Sequence, residues 1–347
     1  MIPSGAHWLR LPRFVGDAVL MHQAAAPLIA AGLPLVAWGP AATVELFEGA
    51  EGYAGAVADP PGKTGLREGV RLLRAHRPAS VLALAKSLRA PAAAFLARVP
   101  RRVGCGDGGA SLLLTASLKY WDRDDHSLDR YRDIVKCGYP ELGPAAFLPF
   151  HPRQASVEAV VEQRRRQGFE VAPYLAFAIG AAAGAKRLGL DLLVDLARRA
   201  LGAGYRIVVL GGPGDDVIWG ARLKEQVPEV LNLTAQLPWS QSAAWLAGAT
   251  AVLANDSGLA HLAAACGVPV VAVFGPTIPR HTAPRGPQVT VLRKEDLACL
   301  ECQQWHCPLP DHPCMTQLPA EHIWAALEAH AATRQVPRQV LPAPEAP

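Results

Sequence analysis

A chain of 347 residues that is 50% hydrophobic and 18% charged belongs to a folded protein, not a disordered or fibrous one, and it is too long for one ordinary core. The net charge of +4 is uneven: residues 1–150 hold 17 Lys+Arg against 13 Asp+Glu, while the remainder is balanced at 17 against 17. That excess either turns the first half towards something anionic or is an ordinary solvated surface, and it does not amount to a nucleic-acid footprint, so no nucleic-acid partner is expected. The stretch after Met1 does not read as a secretory signal and no apolar run has membrane-spanning character, so the expected compartment is the cytoplasm.

In chain order, short β-branched runs alternate with longer Ala/Leu/Arg segments of helical period, the pattern of parallel βα units. The first half predicts strands at "HWLRL", "PLVAW", "SVLALA" and "RRVG", with helices over 17–31, 64–76, 87–98 and 126–137. A Pro-rich stretch over 138–154 reads as a linker, and the Glu/Arg-rich segment 154–167 as a solvated helix entering the second half. There the predicted strands are "YLAFAIG", "RIVVLGG", "TAVLAN", "PVVAVFG" and "VTVLR", with helices over 190–202, 215–226, 240–247 and 257–266. The expected organisation is two doubly wound α/β domains, 1–150 and 151–335, followed by a disordered Pro-rich tail, 336–347. Ligands of such folds bind where strands end.

One strand end stands out. Asn255-Asp256-Ser257-Gly258 interrupts an apolar run between the strand "TAVLA" and the helix "LAHLAAAC", with His261 one turn in. An Asp or Ser there caps the helix, as many helices require, or the open N–H groups and the helix dipole receive an anion such as a phosphate. His261 either faces the same site or is an ordinary buried histidine.

The longer stretch "NDSGLAHLAAACGVPVVAVFGPT" strongly resembles the signature of glycosyltransferase family 9, the bacterial heptosyltransferases. The resemblance extends over nearly the whole chain and leans towards the heptosyltransferase II branch. It implies a GT-B type fold, two Rossmann-like domains facing across a cleft, the first binding the acceptor and the second the nucleotide-sugar. "RFVGDAVLM" then makes Asp17 the catalytic base, although the same Asp also suits a helix cap. "AIGAAAGAKRL" gives Lys186 and Arg187 to the donor diphosphate, departing from the family pattern at Ala178-Ile179 and Leu188. "VVLGGPGDD" gives Asp215 to the ribose, or to plain turn chemistry, and Asp256, Ser257, Gly258 and His261 complete the donor side. In "AKSLRAPAAAFLARVPRRVG", Lys86, Ser87 and Arg89 would face the acceptor, while Arg101 and Arg102 add to the basic excess.

The implied reaction is inverting transfer of heptose from ADP-L-glycero-D-manno-heptose to a lipid-linked inner-core oligosaccharide, with no catalytic cofactor. A nucleotide-sugar epimerase or hydrolase of the same plan, or a non-catalytic nucleotide-sugar binding protein, are the rival readings. The lipid-linked acceptor implies transient contact with an anionic inner-membrane surface, yet no amphipathic Trp/Lys anchor is visible.

Three further motifs need a reading. "GCGDGG" (104–109) satisfies Gly-x-Gly-x-x-Gly but lacks a proper strand before it and an acid at the right distance; "PPGKT" (60–64) has Val57 where a P-loop needs glycine. Both read as loops. Cys299, Cys302, Cys307 and Cys314, spaced C-x2-C-x4-C-x6-C, suggest a structural zinc or iron site away from the chemistry, with His306 and His312 as spare ligands.

Overall fold

The computed structural model describes residues 2–60, 65–119, 124–170 and 172–334, so "GKT" of the P-loop-like motif and the tail 336–347 lie outside the described residues. The chain divides into two compact units, Met1–Arg153 and Gln154–Pro347, the second beginning with helix Gln154–Arg166.

In the first unit the strands are β1 (His7–Arg10), β2 (Leu35–Gly39), β3 (Tyr53–Ala58), β4 (Ser80–Ala83), β5 (Arg101–Cys105) and β6 (Ala116–Leu118). They pair in the order β3-β2-β1-β4-β5-β6, every pair parallel. The second unit repeats the plan with β7 (Tyr174–Ala178), β8 (Arg206–Leu210), β9 (Leu231–Asn232), β10 (Ala251–Asn255), β11 (Val270–Val273) and β12 (Val289–Leu292). Their order is β12-β11-β10-β7-β8-β9, again wholly parallel. Each sheet reverses its winding beside its own first strand, between β1 and β4 and between β7 and β10. At such switch points the loops leave in opposite directions and open a crevice.

Burial explains which strands the sequence announces. Central strands β2, β4, β7, β10 and β11 are buried at every position, and they are written as apolar runs whose polar exceptions, Ser80 and Asn255, stand at a strand end. The strands not foreseen, β3, β6 and β9, are half-buried sheet edges built from "YAGAVA", "ASL" and "LN". Glycine, alanine and short length leave them no periodic signal.

One helical expectation changes and further helices are added. The segment 17–31 is two helices, Val15–Ala24 and Ala26–Ala30, because Pro27 cannot continue the hydrogen-bond ladder of the first. Helices Ala41–Phe47 and Ala320–Thr333 are additional; the latter inserts Ile323 and Leu327 into the second core beside Phe177, Leu196 and Val271. Trp8 and Trp38 meet edge to face at 6.0 Å in the first core. No helix among the described residues is long and apolar enough to cross a membrane.

Candidate functional site

The crevice residues of the second unit are set by the strand order. β7 and β10 are neighbours, so the loops after Ala178 and Asn255 leave the sheet side by side. Asn255, fully buried, ties them together: its Nδ2 donates to the Ile179 carbonyl at 2.8 Å, and its Oδ1 accepts from the Leu188 amide at 3.2 Å. That clamp brings Lys186 to Asp256, with Nζ–Oδ2 2.7 Å, and the Thr277 hydroxyl donates to the same Oδ2 at 2.8 Å. The "GPT" at the end of the signature therefore has a physical reason. Its threonine fixes the acid 21 residues earlier.

Behind Asp256 begins helix Gly258–Ala265, capped in position by Ser257 but with no side-chain cap bond. The first N–H groups of a helix have no intrahelical acceptor, and the dipole adds partial positive charge there. The Ser257 hydroxyl is itself buried with no hydrogen-bond partner among the described residues. His261 is buried one turn into the helix.

Lys186 and Arg187, expected together on a diphosphate, are placed differently. The Lys186 side chain keeps 24% exposure, whereas Arg187 is 5% exposed and bound to Asp216, NH1–Oδ1 2.6 Å. The other oxygen of Asp216 accepts the Gly212 amide at 2.7 Å. Gly180 and Gly211 fit against this carboxylate: a Cβ on Gly180 would lie 3.0 Å from Asp216 Oδ2, and one on Gly211 3.0 Å from Asp216 Cβ. Asp216, which sequence reasoning passes over for its neighbour, thus organises the Gly-rich turn from inside. Asp215 stands exposed at the start of helix Asp215–Gln226.

In the first unit, Asp17 lies in the first turn of helix Val15–Ala24, just beyond the end of β1. Burial raises its carboxyl above the usual carboxylate range, against a hydrogen bond from the Tyr131 hydroxyl to Oδ1 at 3.3 Å. Tyr131 comes from helix Ser127–Gly138. Ser87 and Arg89 line a cavity of about 400 Å³ together with Arg10 and Trp38. Arg10 is spoken for: it grips Asp59 through two bonds of 2.6 and 2.7 Å and stacks 4.6 Å over Trp38. Lys86 is exposed just after β4. Arg101 pairs with Glu141 at 2.8 Å, and Arg102 donates to the carbonyls of Val99 and Leu113.

The remaining motifs resolve through backbone geometry. A strand does precede "GCGDGG", since β5 runs into it, but it leads on to a 3₁₀ turn with Gly108 and Gly109 at φ 63° and 83°. No α-helix N-terminus is presented there, which is what a dinucleotide phosphate needs.

The cysteine loop departs from expectation in its position. Among the described residues no group of three or more His, Cys, Asp or Glu side chains is gathered as a metal site. Cys299 and Cys302 are exposed, whereas Cys314 is buried, its thiol pushed up to about 11 by burial and then by the neighbouring cysteines. Nor is the loop remote from the site. Ala185, beside Lys186, donates to the Trp305 carbonyl at 3.1 Å, and its own carbonyl receives His312 Nε2 at 2.7 Å. Gln303 donates to the carbonyl of Pro276, next to Thr277, at 2.7 Å.

The sequence profile of glycosyltransferase family 9 (heptosyltransferase) matches residues 67–312. The chain belongs to this family. Within the matched stretch lie Lys186, Asp256 and the helix start at Ser257; Asp17 precedes it. Lipooligosaccharide heptosyltransferase 2 of Haemophilus influenzae is 28% identical over 227 residues, 61% of this chain and 64% of that one, so the match spans less than two thirds of that relative. The fold is shared with E. coli ADP-heptose lps heptosyltransferase II at TM-score 0.77 and 21% identity, covering 94% of this chain and 98% of that one. It is also shared with E. coli heptosyltransferase WaaC with ADP, at TM-score 0.70 and 19% identity over 94% and 99%. These likenesses establish the GT-B architecture of the family member.

Proposed function

We propose that the chain transfers heptose from ADP-L-glycero-D-manno-heptose to a hydroxyl of a lipid-linked inner-core oligosaccharide, with inversion at the sugar carbon and no catalytic metal. The observation that carries this reading is the Lys186–Asp256–Thr277 constellation at the β7/β10 switch point, beside the uncapped start of helix Gly258–Ala265. A point cation next to open backbone amides suits a diphosphate. Two structural relatives, one an ADP-heptose enzyme and one with ADP, support the same donor.

A departing ADP leaves slowly unless its growing negative charge is met. Lys186, the amides of Ser257 and Gly258, and the Ser257 hydroxyl meet it. Asp256 acts as a positioning residue that holds the Lys186 ammonium, and Asp215 reaches ribose hydroxyls from the Gly-rich turn. On the acceptor, Asp17 takes the proton of the attacking hydroxyl while the sugar carbon passes through an oxocarbenium-like state. Its raised proton affinity makes it a better acceptor than an exposed aspartate, and Tyr131 fixes its orientation. Lys86, Ser87 and Arg89 belong to acceptor recognition. The cysteine loop braces the Lys186 segment through Trp305 and His312.

The test is purified protein incubated with ADP-heptose and truncated core acceptors, with and without a chelator. One added heptose of inverted configuration, released ADP and indifference to the chelator are expected. Free heptose formed without acceptor, or ADP binding with no transfer to any core acceptor, would overturn the proposal.

A further inference from the structure

The fold leaves large apolar side chains uncovered in one region of the first unit. Leu66, Leu88, Phe95, Leu96 and Leu112 are between 38% and 86% exposed. Helices Leu66–His76 and Arg89–Leu96 pack against each other, and Arg74 donates to the Leu96 carbonyl at 3.0 Å, which ties the two. Between them runs a shallow groove of about 470 Å³ lined by Leu66, Arg67, Val70, Arg71, Arg74 and Leu96. Beyond Phe95 the guanidinium of Arg102 lies 5.5 Å over its ring.

The charge of this region exceeds that of the protein. Residues 65–100 carry six arginines and one lysine against the single acid Glu68, a net +6 where the whole chain has +4. Glu68 is occupied by Arg71 at 2.6 Å. Arg67, Arg71, Arg74, Arg77 and Arg98 all reach solvent around the leucines.

Exposed leucine and phenylalanine rimmed by guanidinium groups match one kind of surface. At the boundary of an anionic bilayer the apolar side chains enter the acyl edge while arginines bind headgroup phosphates. A second copy of this face is a poor occupant, because a two-fold contact would set arginine against arginine. We propose that the face built by helices Leu66–His76 and Arg89–Leu96 docks on the headgroup layer of an anionic phospholipid bilayer. Such docking goes beyond the proposed reaction, since it requires neither donor nor acceptor, and it gives that reaction a way to meet a lipid-linked substrate.

Vesicle flotation tests it with lipid alone. The full chain is expected to float with phosphatidylethanolamine/phosphatidylglycerol vesicles, to stay behind with phosphatidylcholine vesicles, and to be released by high salt. The R67Q/R71Q/R74Q variant is expected to lose about 100-fold in partition. L66S/L96S, which keeps every charge, is expected to lose about 10-fold. R165Q/R166Q/R222Q removes equal charge from the second unit and leaves binding unchanged. All the altered side chains are exposed, and thermal unfolding checks that each variant folds. Equal binding by wild type and both face variants, or equal binding to neutral vesicles, would refute the proposal; so would a dimer by light scattering that these substitutions abolish. Transfer to a deacylated, soluble acceptor reports the reaction separately, so the failure of either reading is visible without the other.

Discussion

The Asp17 carboxylate is held where burial makes its charge costly, and the raised proton affinity suits the base role proposed for it. Its folded pKa lies above the ordinary value, so ionised Asp17 destabilises the fold as pH rises through that pKa, and protonation relieves it. Asp17→Asn removes the charge and keeps the shape. It is expected to lower transfer by about 10²–10⁴-fold while leaving Tm at neutral pH equal to or above wild type. A variant with unimpaired turnover would take Asp17 out of the chemistry. For the wild type, kcat/KM should fall as pH drops through the raised pKa, because the base must be ionised to act. The adjacent cations separate function from stability in the same way. Arg187→Ala strands the buried Asp216 carboxylate and is expected to cost about 3–5 kcal/mol in urea unfolding. Lys186 is more exposed and its partner keeps Thr277, so Lys186→Ala should unfold close to wild type but bind ADP more weakly. Unchanged ADP affinity would remove Lys186 from the donor site.

Among the elements, the cysteine loop and the β11 exit are packed without slack. A Cβ on Gly275 would lie 2.7 Å from Cys314 Sγ and 2.8 Å from Met315 Sδ. The Met315 carbonyl also accepts the Gly189 amide at 2.9 Å, so the same turn holds both the Lys186 segment and the strand leading to Thr277. Gly275→Ala therefore forces the loop away from its seat. The expected result is a rise in the KM for donor that exceeds the fall in kcat, measured with acceptor saturating. A kcat loss alone would mean that the loop does not position the donor side. Sequence spacing points to this loop through its thiols, but the contacts that tie it to the site are backbone carbonyls and His312, which carry no motif.

At the scale of the whole molecule, acid should act on the first unit through His22. It is completely buried, accompanied by Phe47, Tyr53 and Phe150, and burial, then His151, lowers it to about 4. Below an unfolded value of 6.5 the unfolded chain takes a proton that the folded unit refuses. Stability is therefore present above pH 6.5 and lost as pH falls towards 4, by up to about 3 kcal/mol. Urea midpoints measured across that window should decline for wild type and flatten for His22→Phe, which keeps a ring against its aromatic neighbours. The same slope in both proteins would assign acid lability elsewhere. The uneven charge along the chain also finds its place only in three dimensions: the +6 of residues 65–100 becomes a surface because two helices lie side by side.

Local pattern alone specified two runs of parallel βα units, the strand ends that carry the candidate site, and the glycosyltransferase family 9 signature, because a strand buried on both faces is mostly apolar and polar residues at its end mark where the helix begins. Lys186 and Asp256 were both legible as candidates. Their pairing, the capture of Arg187 by Asp216, the edge strands β3, β6 and β9 and the bracing of the Lys186 segment by the cysteine loop were decided by the tertiary structure. A side chain's partner depends on which distant loops the strand order sets side by side, and periodicity reports only how an element buries its own faces.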